Sequence, residues 1–185
     1  MDTREQIVST TEKLIITKGY NGFSYQDIAD VIGIKKASIH YHFKTKEDLG
    51  VAFVQMYHDR FNTWTASVKD KPNLDRLNGF GKLFKIVSNN GKHICPIGML
   101  TSEYKTLPEK VQQKVHDILA TMEDWTTELI EDGIRTNIYK PSIDSRLMAK
   151  ILINSLSYET KTARIFENDN QLDQIFAELK KLIVA

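Results

Sequence analysis

A single cysteine, Cys95, stands among 185 residues. That excludes an internal disulfide, a Cys-x-x-Cys redox pair and a cysteine-rich zinc module. Long apolar runs are missing too. The longest, Val51–Val54 and Leu182–Ala185, have four residues, where a membrane helix needs about 20. The opening MDTREQIVST lacks the basic-then-apolar order of a signal peptide, so a cytoplasmic protein with no membrane partner is expected. Net charge is equally scarce. Lysine plus arginine number 25 and aspartate plus glutamate 24, a formal +1. Whole-chain charge therefore points to neither nucleic acid nor membrane, and any basic surface must be local.

Four prolines and nine glycines punctuate the chain. Between them apolar residues recur at three- and four-residue spacing rather than two, which predicts an all-α protein of about nine helices. The first spans about Thr3–Lys18 and stops at Gly19. Ser24 with Asp27, and Thr45 with Asp48, are capping-box signatures opening a short helix (Tyr25–Val31) and a long one (to about Val68). A third short helix covers about Lys35–Phe43. The remaining spans are about 73–90, 96–104 behind Cys95-Pro96, 108–136 behind Pro108, 144–167 and 170–184, with Asn137 suited to a left-handed stop.

Residues 24–43 carry the most information. Two short helices joined by a tight turn at Gly33 form a helix-turn-helix in outline, with Ile28, Ala29, Ile32, Ile34, Ile39 and Phe43 as its inner face. Residues 1–49 hold seven basic and seven acidic side chains, yet residues 31–46 hold Lys35, Lys36, Lys44 and Lys46 and no acid. Such lysines neutralise phosphates and release counterions. Lys36, Ser38, His40, Tyr41 and His42 supply donors and rings suited to phosphates and major-groove edges. Thr45–Lys46, opening a helix, offers free amides to a phosphate. A solvated lysine face is the plainer alternative. His40 and His42, spaced i, i+2, do not face each other, so no metal site is expected.

The run FSYQDIADVIGIKKASIHYHFKTKEDL (Phe23–Leu49) resembles the DNA-binding segment of the TetR family of transcriptional regulators. Ser24, Ile28, Ala29, Gly33-Ile34, Lys36, Ser38, Ile39, Tyr41, His42, Phe43, Lys46, Glu47 and Leu49 match the family pattern at fixed spacing. Lys35 stands where a small hydroxyl residue is usual, Ala37 where glycine is common, and His40 where tyrosine is. The resemblance implies a homodimer whose paired recognition helices grip a palindromic operator in double-stranded DNA, with half-sites about 34–36 Å apart or further. It assigns residues 1–48 to DNA binding, through Ser24, Lys35, Lys36, Ala37, Ser38, His40, Tyr41, His42 and Lys46. Residues 49–185 would bind ligand and dimerise.

In that second part HICPIGMLTSEYKTLP (His93–Pro108) resembles a subset of the family. The resemblance implies an effector cavity with Trp64, Phe84, Cys95, Met99, Tyr104, Met122, Trp125 and Tyr158 as candidate lining. These are large, polarizable side chains suited to an apolar or aromatic small molecule. It also implies a four-helix dimer interface from Leu147, Ile151, Ser155, Tyr158 and Thr162 with Leu172, Ile175, Phe176 and Leu179. The alternative is that both seams bury into the monomer. Cys95 reads as the cap residue of the sixth helix, where the dipole, Lys92 and His93 favour thiolate. An electrophile sensor is one reading and a small buried hydrophobe the other.

Together these features predict a ligand-released repressor with no cofactor. An architectural DNA binder would show little sequence preference, and an enzyme would need a nucleophile–base pair or a cofactor anchor, neither of which is readable.

Overall fold

The computed structural model describes residues 2–90, 92–163, 165–168 and 170–185. Among them are nine α-helices and no strand: α1 (Thr3–Lys18), α2 (Tyr25–Ile32), α3 (Lys36–His42), α4 (Lys46–Val68), α5 (Asn73–Val87), α6 (Pro96–Ser102), α7 (Glu109–Arg135), α8 (Ser145–Thr162) and α9 (Gln171–Ile183). A turn of 3-10 helix, Tyr104–Thr106, follows α6. The all-α expectation holds.

Local chemistry sets most of the boundaries. Asp2 and Glu5 bond each other's backbone N–H groups to open α1. Ser24 and Asp27 do the same for α2, and Thr45 and Asp48 for α4. Such caps satisfy amides that have no partner within the helix. Gly19 ends α1 at φ 74°, ψ 170°, a conformation essentially reserved for glycine. Asn137 takes φ 59° after α7, and Ile138 N–H returns to Gly133 O at 2.8 Å, the left-handed stop read from the sequence.

Two helices end three or more residues earlier than expected. α8 ends at Thr162, not 167, because the chain turns there. Ile165 N–H donates to Thr162 O, Asn168 N–H donates to Ala163 O, and Glu167 adopts φ 50°. No glycine or proline announces that stop, and Arg164, within the expected span, lies outside the described residues. α5 ends at Val87, not 90, with Asn89 and Asn90 both left-handed. The stop expected at Gly91 lies outside the described residues.

The chain forms two compact units. The first comprises residues 1–62 and 96–118, the second 63–95 and 119–185. In the first, α1 packs on α2, α3 and α6, and Ile7, Ile15, Ile28, Ile39, Leu49 and Phe53 are fully buried. Tyr57 OH donates to Glu12 Oε1 at 2.6 Å, tying α4 to α1. In the second, α5, α8 and α9 pack on one another around Leu77, Phe80, Leu152, Leu156 and Ile183. Gly81 gives Phe176 its seat: a Cβ there would lie 2.5 Å from the ring. Tyr139 pairs with Val184 in an isolated antiparallel bridge.

Gly133 lies against the buried Tyr139 ring, where an added Cβ would sit 2.1 Å from Cδ2. Alanine gains about 1 kcal/mol in helix propensity, but overpacking costs about 1–3 kcal/mol. We predict that Gly133→Ala lowers stability by a net of up to about 2 kcal/mol, read as a lower urea midpoint. Asp27 accepts from Lys18 Nζ at 2.5 Å and from Ser24, and these bonds hold its carboxyl well below the usual carboxylate range. Its contribution is fully present above the unfolded value of about 3.9 and is lost as pH falls toward the folded one. Asp27→Asn is therefore expected to be less stable than the parent at neutral pH, the gap narrowing in urea titrations at about pH 3.

Candidate nucleic-acid interface

The turn between α2 and α3 is made at Gly33, which takes φ 79°, ψ 33° and donates to Ala29 O at 2.9 Å. Ile34 N–H donates to the same carbonyl at 3.2 Å. Beneath the turn Ile28, Ala29, Ile39 and Phe43 are buried, as the apolar pattern required, whereas Ile32 and Ile34 are only half-buried. Tyr25 is buried with its OH on Phe43 O at 3.1 Å, and its phenol is pushed up to about 12 by burial and then by Asp48. The His40 ring stands edge-on to Tyr25 at 4.8 Å. Arg4 lies over the Phe43 ring at 5.0 Å, so α1 also holds the end of α3.

The opposite side of α3 is open. Lys35, Lys36, Ala37, His40 and Tyr41 are exposed, Tyr41 to 86%, and Ser38 and His42 are half-buried. Tyr41 and His42 meet edge-to-face at 5.2 Å. Ala37, Ser38, Tyr41 and His42 share a surface concavity of about 480 Å³ with Ile34 and Thr3. Thr3 had no sequence signal for this role, since only packing brings the first turn of α1 beside α3.

Two expected contacts sit differently. Ser24 is exposed, but its hydroxyl is engaged with Asp27 at 2.7 Å. Lys46 is turned inward. Its ammonium donates to Phe23 O and lies over the rings of Tyr20 (4.9 Å) and Phe23 (4.2 Å). Burial lowers its pKa, opposed by Glu103 and Asp27. In that seat the ammonium is committed to Phe23 O and the two rings, not to a phosphate-facing surface.

The candidate effector residues divide between the units. Met99 and Tyr104 belong to the first; Trp64, Phe84, Cys95, Met122, Trp125 and Tyr158 belong to the second. Within the second, Trp64 and Trp125 meet edge-on at 5.0 Å. Phe80 lies 6.4 Å from Trp64, 5.5 Å from Trp125 and 5.3 Å from Phe84. The sequence reading missed Phe80, although its i, i+4 spacing to Phe84 was the signal. Tyr158 is 65% exposed, so it stands at the surface. Cys95 is half-buried, its N–H donating to Thr160 Oγ1 at 3.4 Å.

The expected dimer seams also separate. On α8, Leu147, Ile151 and Tyr158 are exposed, with Ser155 and Thr162 half-buried. On α9, Leu172, Phe176 and Leu179 are buried and Ile175 is half-buried. The α9 seam packs against α5 and α8 of its own chain, because the recess at Gly81 admits the Phe176 ring. Leu172, Phe176 and Leu179 are thus intrachain core, and Ile175 keeps part of its surface open.

Residues 7–52 match the family described as bacterial regulatory proteins, tetR family, and residues 74–179 match the tetracyclin repressor-like C-terminal domain. The chain is 26% identical over 178 residues to the HTH-type transcriptional repressor DhaR of Mycobacterium sp. (strain GP1), covering 92% of this chain and 87% of that one. It is 27% identical to the biofilm operon icaADBC negative transcriptional regulator IcaR of Staphylococcus epidermidis, covering 95% and 96%. Among solved structures, a TetR-family regulator from Agrobacterium tumefaciens superposes with TM-score 0.91 at 29% identity, over 98% and 97% of the two chains. One from Legionella pneumophila superposes with TM-score 0.88 at 29% identity, over 99% and 98%. The paired short helices, the lysine-bearing face and both halves of the family pattern lead to one conclusion: this chain belongs to the TetR family of transcriptional regulators.

Proposed function

We propose that the protein is a cytoplasmic homodimeric repressor, without enzymatic activity, that leaves a palindromic operator when a small molecule binds its helical body. Residues 1–48 read DNA, and residues 49–185 bind the effector and dimerise. The observation that carries this reading is the open face of α3, where Lys35, Lys36 and Tyr41 are exposed and no acid intervenes between residues 31 and 46. A seven-residue helix with bare donors fits a major groove about 12 Å wide. DhaR and IcaR are named as a repressor and a negative regulator, which supports repression here.

The effector is an apolar or aromatic molecule, or an electrophile received by Cys95. The cluster of Trp64, Phe80, Phe84 and Trp125 supplies the polarizable surface, with Met122 on the same unit. Such a ligand shifts the protein only by its differential affinity for two states, typically about 1–3 kcal/mol of coupling. The exposed α8 face of Leu147, Ile151 and Tyr158 pairs with a second copy, which doubles the DNA contacted and raises specificity.

Selection from a random pool of duplexes tests the reading: the parent is expected to enrich a palindrome bound about 10³-fold or more above unrelated DNA. Lys36→Ala is expected to weaken both alike and to reduce the salt slope by about one unit. An unchanged slope removes Lys36 from the phosphate contacts. Ile151→Glu places a carboxylate in the α8 face, and sedimentation is expected to show a single subunit with specific affinity lost. A dimer that persists puts the interface elsewhere.

A further inference from the structure

Glu103 follows α6 and lies in the same compact unit as the reading head. Its Oε2 accepts the Tyr20 N–H at 2.6 Å, immediately after α1. Its Oε1 fits over Gly19, where a Cβ would lie 2.5 Å away. Tyr20 then passes the constraint on: its OH donates to Lys46 O at 2.9 Å, and its ring carries the Lys46 ammonium. Lys46 in turn donates to Phe23 O, the residue before the Ser24 cap of α2. One carboxylate thus reaches the end of α1, the approach to α2 and the start of α4. Those three points bracket the α2–α3 pair. Neighbouring bonds run the same way: Asn21 Nδ2 to Thr106 Oγ1 at 2.7 Å, and Lys110 N–H to Glu47 Oε1 at 3.3 Å.

We propose that Glu103 is a positioning residue for DNA reading: through Tyr20 and Lys46 it fixes the pose of the α2–α3 pair, and sequence discrimination depends on it although it lies outside the reading face. The proposal rests on the DNA-binding reading above. The spacing is tight enough to be specific. The glycine at 19 admits the carboxylate, and glutamate at 103 fills the space that glycine leaves.

The test compares the parent with Glu103→Gln and Glu103→Leu, on the duplex the parent enriches and on an unrelated duplex of equal length. Specific affinity is expected to fall roughly 2- to 30-fold. The leucine variant falls further, because the glutamine oxygen still accepts from Tyr20. Affinity for unrelated DNA and the salt slope are expected to stay unchanged, since no phosphate contact is removed. Equal losses on both duplexes, or none on either, overturn the proposal. Hydrogen exchange of the Tyr20 amide in the free protein is expected to quicken in Glu103→Leu, and unchanged exchange also overturns it. If the leucine variant does not fold, the glutamine variant decides. A parent that enriches no duplex defeats the DNA-binding reading itself, and the Tyr20 amide still reports on the clasp.

Discussion

A helix of seven residues does not hold itself together in water, because nucleation costs more than so few bonds return. Everything α3 offers to a partner therefore depends on what grips it from behind. Ile39 is wholly buried, Phe43 is closed over by Arg4 of α1, and Tyr25 reaches across to the Phe43 carbonyl. The left-handed Gly33 sets the angle at which the two short helices meet. Burial of the inner face and exposure of the outer one are a single constraint, since a rotation of α3 that exposed Ile39 would also withdraw Tyr41.

The electrostatics follow from the same packing. Seven bases and seven acids in residues 1–49 cancel in sum but not in space. Asp27 is held by Lys18, Glu12 by Arg60, Glu47 by Lys110 and Asp48 by Thr45, while Asp30 accepts from Gln26. The acids are tied into caps and pairs, and Lys35, Lys36 and Lys44 make no ion pair among the described residues. A neutral segment thus presents a basic face. Exposed pairs of this kind add little stability; their effect is to decide which charges remain open.

Much of the fold was legible because its punctuation is local. Ser24 with Asp27, Thr45 with Asp48, Gly19, Gly33 and Asn137 each act within a few residues, so spacing alone located the helices they bound. The end of α8 was not legible, because Glu167 enters the left-handed region without a glycine to mark it. The lysine-bearing face of α3 was legible as a charge pattern, but the inward turn of Lys46 was not. It depends on two aromatic rings and a carbonyl brought from before α2. An amphipathic stripe, likewise, reveals that a face is apolar but not which neighbour covers it. The stripe on α9 is covered from within its own chain, and the one on α8 is left bare.

That asymmetry between the last two helices bears on the proposed pairing. With the inner side of α9 closed by α5 and α8, the pairing proposed above would draw on a strip of α8 in which Leu147, Ile151 and Tyr158 stand beside Arg146 and Lys150, themselves steered by Glu123 and Asp124. Discrimination against a related chain would then be a difference of affinities over those side chains. In that pairing, exchange of subunits between paralogues would turn on substitutions in one helix, with residues 1–48 untouched.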